Sequence, residues 1–129
     1  MQTEQTTVTA PLNLHCRLDE LVVDCTDPHL LAAFWSNALG YEVSDDDDEL
    51  SAIEDPTGAG PSICFQRVPE PRAGKNRVHF DLAVAEHELD AAIAGLVKLG
   101  ASKLEIGQGH DNSWVVMADP EGNEFCVVT

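Results

Sequence analysis

Between residues 18 and 25 the chain alternates and is rich in β-forming side chains. Leu21, Val23 and Cys25 fall on one side and Glu20, Val22 and Asp24 on the other, which predicts a strand. The period then changes. Leu30 or Leu31, Phe34, Trp35 and Leu39 recur at the three-to-four spacing of a helix face packed on a sheet. Asp27 is a good N-cap, Pro28 suits the first helical turn and Gly40 suits the end, so the helix should run to about Leu39. A short strand at 41–43 follows. The acidic run Asp45-Asp46-Asp47-Asp48-Glu49 then reads as a solvated loop, since a calcium loop would need alternating ligands around a glycine. Residues 50–54 and 62–68 are two more strands, joined through the turn Asp55-Pro56-Thr57-Gly58.

The second half repeats this order. Glu20 and His79 stand 59 positions apart, as do Asp27 and Glu86, and the helix end Leu39-Gly40 recurs as Leu99-Gly100. The second turn is Asp119-Pro120-Glu121-Gly122. Each turn runs into an apolar strand bearing a cysteine, Ile63-Cys64-Phe65 or Phe125-Cys126-Val127. The second copy is predicted as a strand at 78–84, a helix at about 86–99, a short strand near 103–106 and strands at 114–118 and 124–128. Each half is thus β-α-β-β-β: module one at 17–68 and module two at 77–129, after a tail at 1–16. The connector, 69–76, has two prolines, a glycine and alternating charge, and it reads as a solvated linker. Units this short must share a core, so the chain is one α+β domain. Two paired modules form a curved mixed sheet around a cleft, with helices on one face and the other face open for a ligand.

Composition narrows the partners. The chain of 129 residues has 23 acids against 7 bases, a net charge of −16. That argues against nucleic acid and an anionic membrane as partners, whereas it would draw in cationic small molecules. No secretory h-region or apolar run of about 18 residues is present, so the expected location is cytoplasmic. Cys16, Cys25, Cys64 and Cys126 then read as thiols rather than disulfides.

Strand parity selects the candidate chemistry. Phe80, Leu82 and Val84 form the helix-packing row of module two, and His79, Asp81 and Ala83 face the other way, as Glu20, Val22 and Asp24 do in module one. The same parity groups Cys64 with Gln66 and Cys126 with Glu124. Glu20, His79, Cys64 and Cys126 can together bind a divalent ion such as zinc, although thiols on apolar strands are more often plain core residues. Trp35 belongs to the core-facing helix row. Trp114, after the polar His110-Asp111-Asn112 loop, is a candidate stacking surface.

The two β-α-β-β-β units, the strand Asn76-Arg77-Val78-His79-Phe80-Asp81-Leu82 and the closing turn Asp119-Pro120-Glu121-Gly122-Asn123-Glu124-Phe125 resemble the vicinal oxygen chelate superfamily. That superfamily includes glyoxalase I, the extradiol dioxygenases and the bleomycin-resistance proteins, and the likeness is nearest to its glyoxalase-like domains. It spans residues 17–129. Its metal-dependent members hold an ion on the first and last strand of each unit, which the resemblance carries onto Glu20, His79, Cys64 (or Gln66) and Cys126. Cys126 stands where glyoxalase I has a glutamate that is both ligand and base. The resemblance therefore implies a binder of a small organic molecule with a degenerate metal site. Asp24, Gln66, Asp81 and Trp114 would line its cleft, and the chain would form a homodimer. The alternative is a lyase, isomerase or dioxygenase dependent on Zn, Ni, Mn or Fe, with His79 and Glu20 as catalytic groups.

Overall fold

The structure, a computed structural model, describes residues 10–11, 13–14, 16–104 and 114–129. Most of the predicted tail, the end of the strand expected at 103–106 and the His110-Asp111-Asn112 loop lie outside them. Among the described residues, eight strands and two α-helices follow in order: β1 (Glu20–Cys25), α1 (Pro28–Leu39), β2 (Glu42–Asp46), β3 (Leu50–Glu54), β4 (Ser62–Arg67), β5 (Asp81–Ala83), α2 (Leu89–Leu99), β6 (Ser102–Lys103), β7 (Trp114–Ala118) and β8 (Glu124–Val128). They form two four-stranded mixed sheets, ordered β1-β4-β3-β2 and β5-β8-β7-β6, one for each module. In both, the first strand lies parallel to the last and at the sheet edge.

Helix α1 starts and stops where its local chemistry dictates. The Asp27 carboxylate accepts a hydrogen bond from the Leu30 N–H at 3.2 Å, Pro28 fills the first turn, and Gly40 closes the helix at φ 74°. Module two lacks such a cap. Ala85 has no side-chain acceptor to offer, and the chain enters α2 through a 3-10 turn, Glu86–Glu88.

The inner faces of both sheets turn onto one core. Helix α1 contributes Leu31, Phe34 and Trp35, each at most 2% exposed, and sheet residues Ile53, Phe65, Met117, Phe125 and Val127 close around them. Trp35 meets Phe34, Phe80 and Phe125 edge-on at ring-centre distances of 5.0, 5.2 and 5.0 Å, so one helix of module one packs on the sheet of module two. Burying each of these side chains contributes about 1.5–3 kcal/mol, and neither module keeps that contribution alone.

Several segments differ from the sequence expectation: the strand expected at 78–84 is only Asp81–Ala83, so His79 precedes it, and the helix expected from about 86 begins at Leu89. The acidic run is not all loop: Asp45 and Asp46 belong to β2, which pairs antiparallel with β3 around a bulge between Val43 and Asp45. Charged residues suit an edge strand with every position exposed. The Asp47 carboxylate accepts the Glu49 and Leu50 N–H groups at 2.8 and 3.0 Å to turn the chain, and His29 Nδ1 lies 2.7 Å from Asp46 Oδ1 on the far side. The connector is largely exposed, as expected, and it is also pinned at two points. Arg72 pairs with Glu124, and the Asn76 backbone and side-chain N–H groups donate to the Glu124 carboxylate and carbonyl at 3.2 and 3.4 Å. The Arg72 hydrogen bond holds the Glu124 carboxyl below its ordinary value.

Candidate functional site

The registers of the two sheets superpose the modules residue by residue. Val22 pairs with Cys64 and Ala52 with Cys64 in module one; Asp81 pairs with Cys126 and Val116 with Cys126 in module two. Glu20 and His79 each stand two residues before the first-strand member of that pair, so the sequence reading of their equivalence holds. The outer face of module one therefore carries Glu20, Val22 and Asp24 beside Cys64 and Gln66. That of module two carries His79, Asp81 and Ala83 beside Cys126, with Trp114 opposite Val128 on the same face.

The structure gathers module two's set. An imidazole nitrogen of His79, a carboxylate oxygen of Asp81 and the Cys126 thiol all lie within 4.8 Å of one another. His79 Nδ1 is 3.3 Å from Asp81 Oδ1, and both side chains are about half exposed. Burial is the main reason the Cys126 thiol is pushed up; the Asp81 charge adds to this and Lys75 opposes it. Cys64 in module one is likewise raised by burial, then by Glu20, Asp45 and Asp47. Glu20 thus acts on Cys64, and it does not join the His79 group among the described residues.

For a divalent ion the donor chemistry of that group fits. One imidazole, one carboxylate and one thiol are all zinc ligands, and the thiol would lose its raised-pKa proton on binding. Thiol ligation favours zinc over the harder manganese or magnesium ions.

A groove of about 1070 Å³ runs along the β1 edge, between it, the connector and the turn before β8. Val22, Val23, Leu30, Trp35 and Phe80 supply its apolar lining; Asp24, Glu70, Arg77 and His79 supply polar groups. Of the sequence candidates, the groove holds Asp24 and His79, whereas Glu20, Gln66, Asp81, Trp114, Cys64 and Cys126 lie outside its lining. Sequence reasoning missed Glu70 and gave the turn residues Asp119 and Glu121 no role, although the closing turn's resemblance marked their segment.

That turn builds one wall. Asp119, 4% exposed, accepts the Trp35 indole N–H at 3.1 Å and the backbone N–H groups of Glu121 and Asn123 at 2.9 Å each. The Glu121 carboxylate reaches across to module one and accepts the Thr26 and Asp27 N–H groups at 2.9 and 2.6 Å. Burial, followed by the Glu121 charge, pushes the neighbouring Cys25 thiol up to about 12, so it is inert.

Residues 20–128 match the family of glyoxalase-like domains. The chain belongs to that family. Solved structures agree on its fold. A glyoxalase/bleomycin resistance protein/dioxygenase family enzyme from Burkholderia phytofirmans PsJN is 16% identical, at a TM-score of 0.70 over 87% of this chain and 97% of the other. The fosfomycin resistance protein FosX of Listeria monocytogenes, in complex with Mn(II) and 1S,2S-dihydroxypropylphosphonic acid, is 14% identical, at 0.69 over 89% and 90%. A glyoxalase-related enzyme from Fulvimarina pelagi is 15% identical, at 0.67 over 87% and 86%. No match was found among curated proteins. Within this glyoxalase-like domain no helix of the described residues is long and apolar enough to cross a membrane.

Proposed function

We propose that this glyoxalase-like domain binds a small organic molecule in the groove along β1, beside a metal site whose ligand set has diverged. The observation that carries the reading is the groove itself: its volume suits a small molecule, and it has apolar walls with a few convergent polar groups. Four of its acids are already engaged, Asp27 at the α1 cap, Asp119 with Trp35, Glu121 with the β1–α1 turn and Glu124 with Arg72. Asp24 and Glu70 remain to face a guest, opposed by Arg77. Together with the overall charge of −16 this favours cationic guests.

The test is a thermal-shift screen of cationic and neutral aromatic compounds with chelator present, followed by calorimetry. A hit at about 100 times its Kd stabilises the fold by about 2.7 kcal/mol. Val22, 53% exposed, projects into the groove, so Val22→Trp should abolish binding and leave the fold intact. Binding that survives that substitution would place the guest elsewhere and refute the reading.

A second reading, a lyase, isomerase or dioxygenase dependent on a divalent metal, is favoured by the His79, Asp81 and Cys126 group. In that case His79, which also lines the groove, would hold the ion with Asp81 and Cys126 where it could polarise a substrate oxygen or activate water. Turnover that requires added metal and is lost in His79→Ala would select it.

A further inference from the structure

We infer that module two alone holds a thiophilic divalent ion, zinc(II) or its probe cobalt(II), through His79, Asp81 and Cys126, with module one supplying no ligand. The internal repeat makes the argument. At the position of Asp81 module one has Val22, in register with Cys64 as Asp81 is with Cys126. The two modules therefore differ at the outer-face position directly beside the cysteine. Glu20 sits with Cys64, and the second module's three donor atoms meet without it.

The spacing is within reach of one ion. Bonds of roughly 2.0–2.3 Å around a tetrahedral centre set ligand atoms about 3.5 Å apart. Donors within 4.8 Å reach that by small rotations, which the half-exposed His79 and Asp81 side chains allow. A neutral imidazole, a carboxylate and a thiolate balance the charge of a divalent ion. Exposure of His79 and Asp81 leaves the remaining coordination position open to solvent. His79 also lines the groove, so that open position borders the space proposed for the organic guest. The inference does not depend on that guest.

The experiment is a cobalt(II) titration of chelator-stripped, reduced full-length protein, read by absorption and with no organic compound present. One equivalent should bind and produce a thiolate-to-cobalt charge-transfer band in the near ultraviolet. Cys126→Ser should remove the band. Asp81→Val, which copies module one, should weaken binding more than about tenfold, and zinc(II) should compete the cobalt away. Glu20→Gln and Cys64→Ser should leave the affinity within about twofold of the parent. A missing band, a band that survives Cys126→Ser, or a loss in Glu20→Gln as large as that in Asp81→Val would overturn the inference. Circular dichroism of each variant checks the fold, and failure here leaves the chelator-treated groove assay intact.

Discussion

Substituting Trp35 by Phe tests whether the two modules are joined as tightly as the core implies. The indole N–H donates to Asp119 Oδ2 at 3.1 Å, and donor and acceptor are 2% and 4% exposed. A hydrogen bond to an ionised group contributes about 1.5–3 kcal/mol. The carboxylate is not orphaned by the change, because Asn123 Nδ2 still donates to Oδ2 at 3.0 Å, which argues for the lower half of that range. Phe keeps a ring against Phe34, Phe80 and Phe125 but leaves a void of roughly 40 Å³, worth about 1 kcal/mol. The expected loss is about 3 kcal/mol, a large share of the 5–15 kcal/mol typical of a domain, and the melting temperature should fall by about 10 °C. Urea unfolding followed by circular dichroism measures it. The transition should keep its slope, because both modules lose support together, and a cycle with Asp119→Asn should show coupling of at least about 1 kcal/mol. A loss below about 1 kcal/mol would mean that water replaces the indole at the junction, and the shared-core argument would fail.

Gly60→Ala should cost about 1–3 kcal/mol, because the added Cβ would stand 2.2 Å from the Tyr41 hydroxyl and 3.1 Å from Asp55 Oδ2; Tyr41→Phe in the same chain should restore most of it in chemical denaturation. Glu124 has a depressed carboxyl pKa, so its pairing stabilises the fold above the ordinary value near 4.5, and that stability drains away as pH falls through the lower folded value. Arg72→Gln should therefore flatten the acid limb of stability against pH, by no more than about 1 kcal/mol given the partial exposure of the pair, and an unchanged limb would assign the shift elsewhere. In a thiol-reagent assay at neutral pH, exposed Cys16 should react at once, whereas Cys25, at about 12 and 5% exposed, should wait for unfolding; rapid labelling of Cys25 would contradict its burial.

The features legible in the sequence were those fixed over a few residues or by strand parity. Asp27, Pro28 and Gly40 set both ends of α1 because caps act within one turn, and alternation placed Leu21, Val23 and Cys25 inward and Glu20 and Asp24 outward. The acidic end of β2, Asp45 and Asp46, escaped that reading, since an edge strand with both faces exposed has no apolar period and is held by its neighbour's backbone and by His29 from α1. The connector's pairing was equally invisible: Arg72 and Glu124 are 52 residues apart, and a Pro-rich composition says nothing about a distant carboxylate. Parity also does not tell which equivalent residues share a neighbourhood. It made Glu20 and His79 counterparts, but it could not separate the group around Cys64 from the one around Cys126.

The separation of those groups bears on how a doubled fold acquires a site. Two copies in the same register start with the same donors, and each substitution on one outer face then breaks the symmetry. Here the first module has Glu20, Val22 and Leu50 where the second has His79, Asp81 and Trp114. The imidazole, the added carboxylate and the large aromatic thus all fall on module two, while the half-exposed Val22 of module one gives the groove an apolar wall. The shared core explains why such divergence is tolerated: Trp35, Phe125 and the Asp119 turn hold the modules together from the inner faces, leaving the outer faces free to specialise. A reciprocal exchange, Val22→Asp with Asp81→Val, should therefore preserve the fold and abolish cobalt binding in module two. It should create none in module one, because Glu20 cannot supply the imidazole that His79 does.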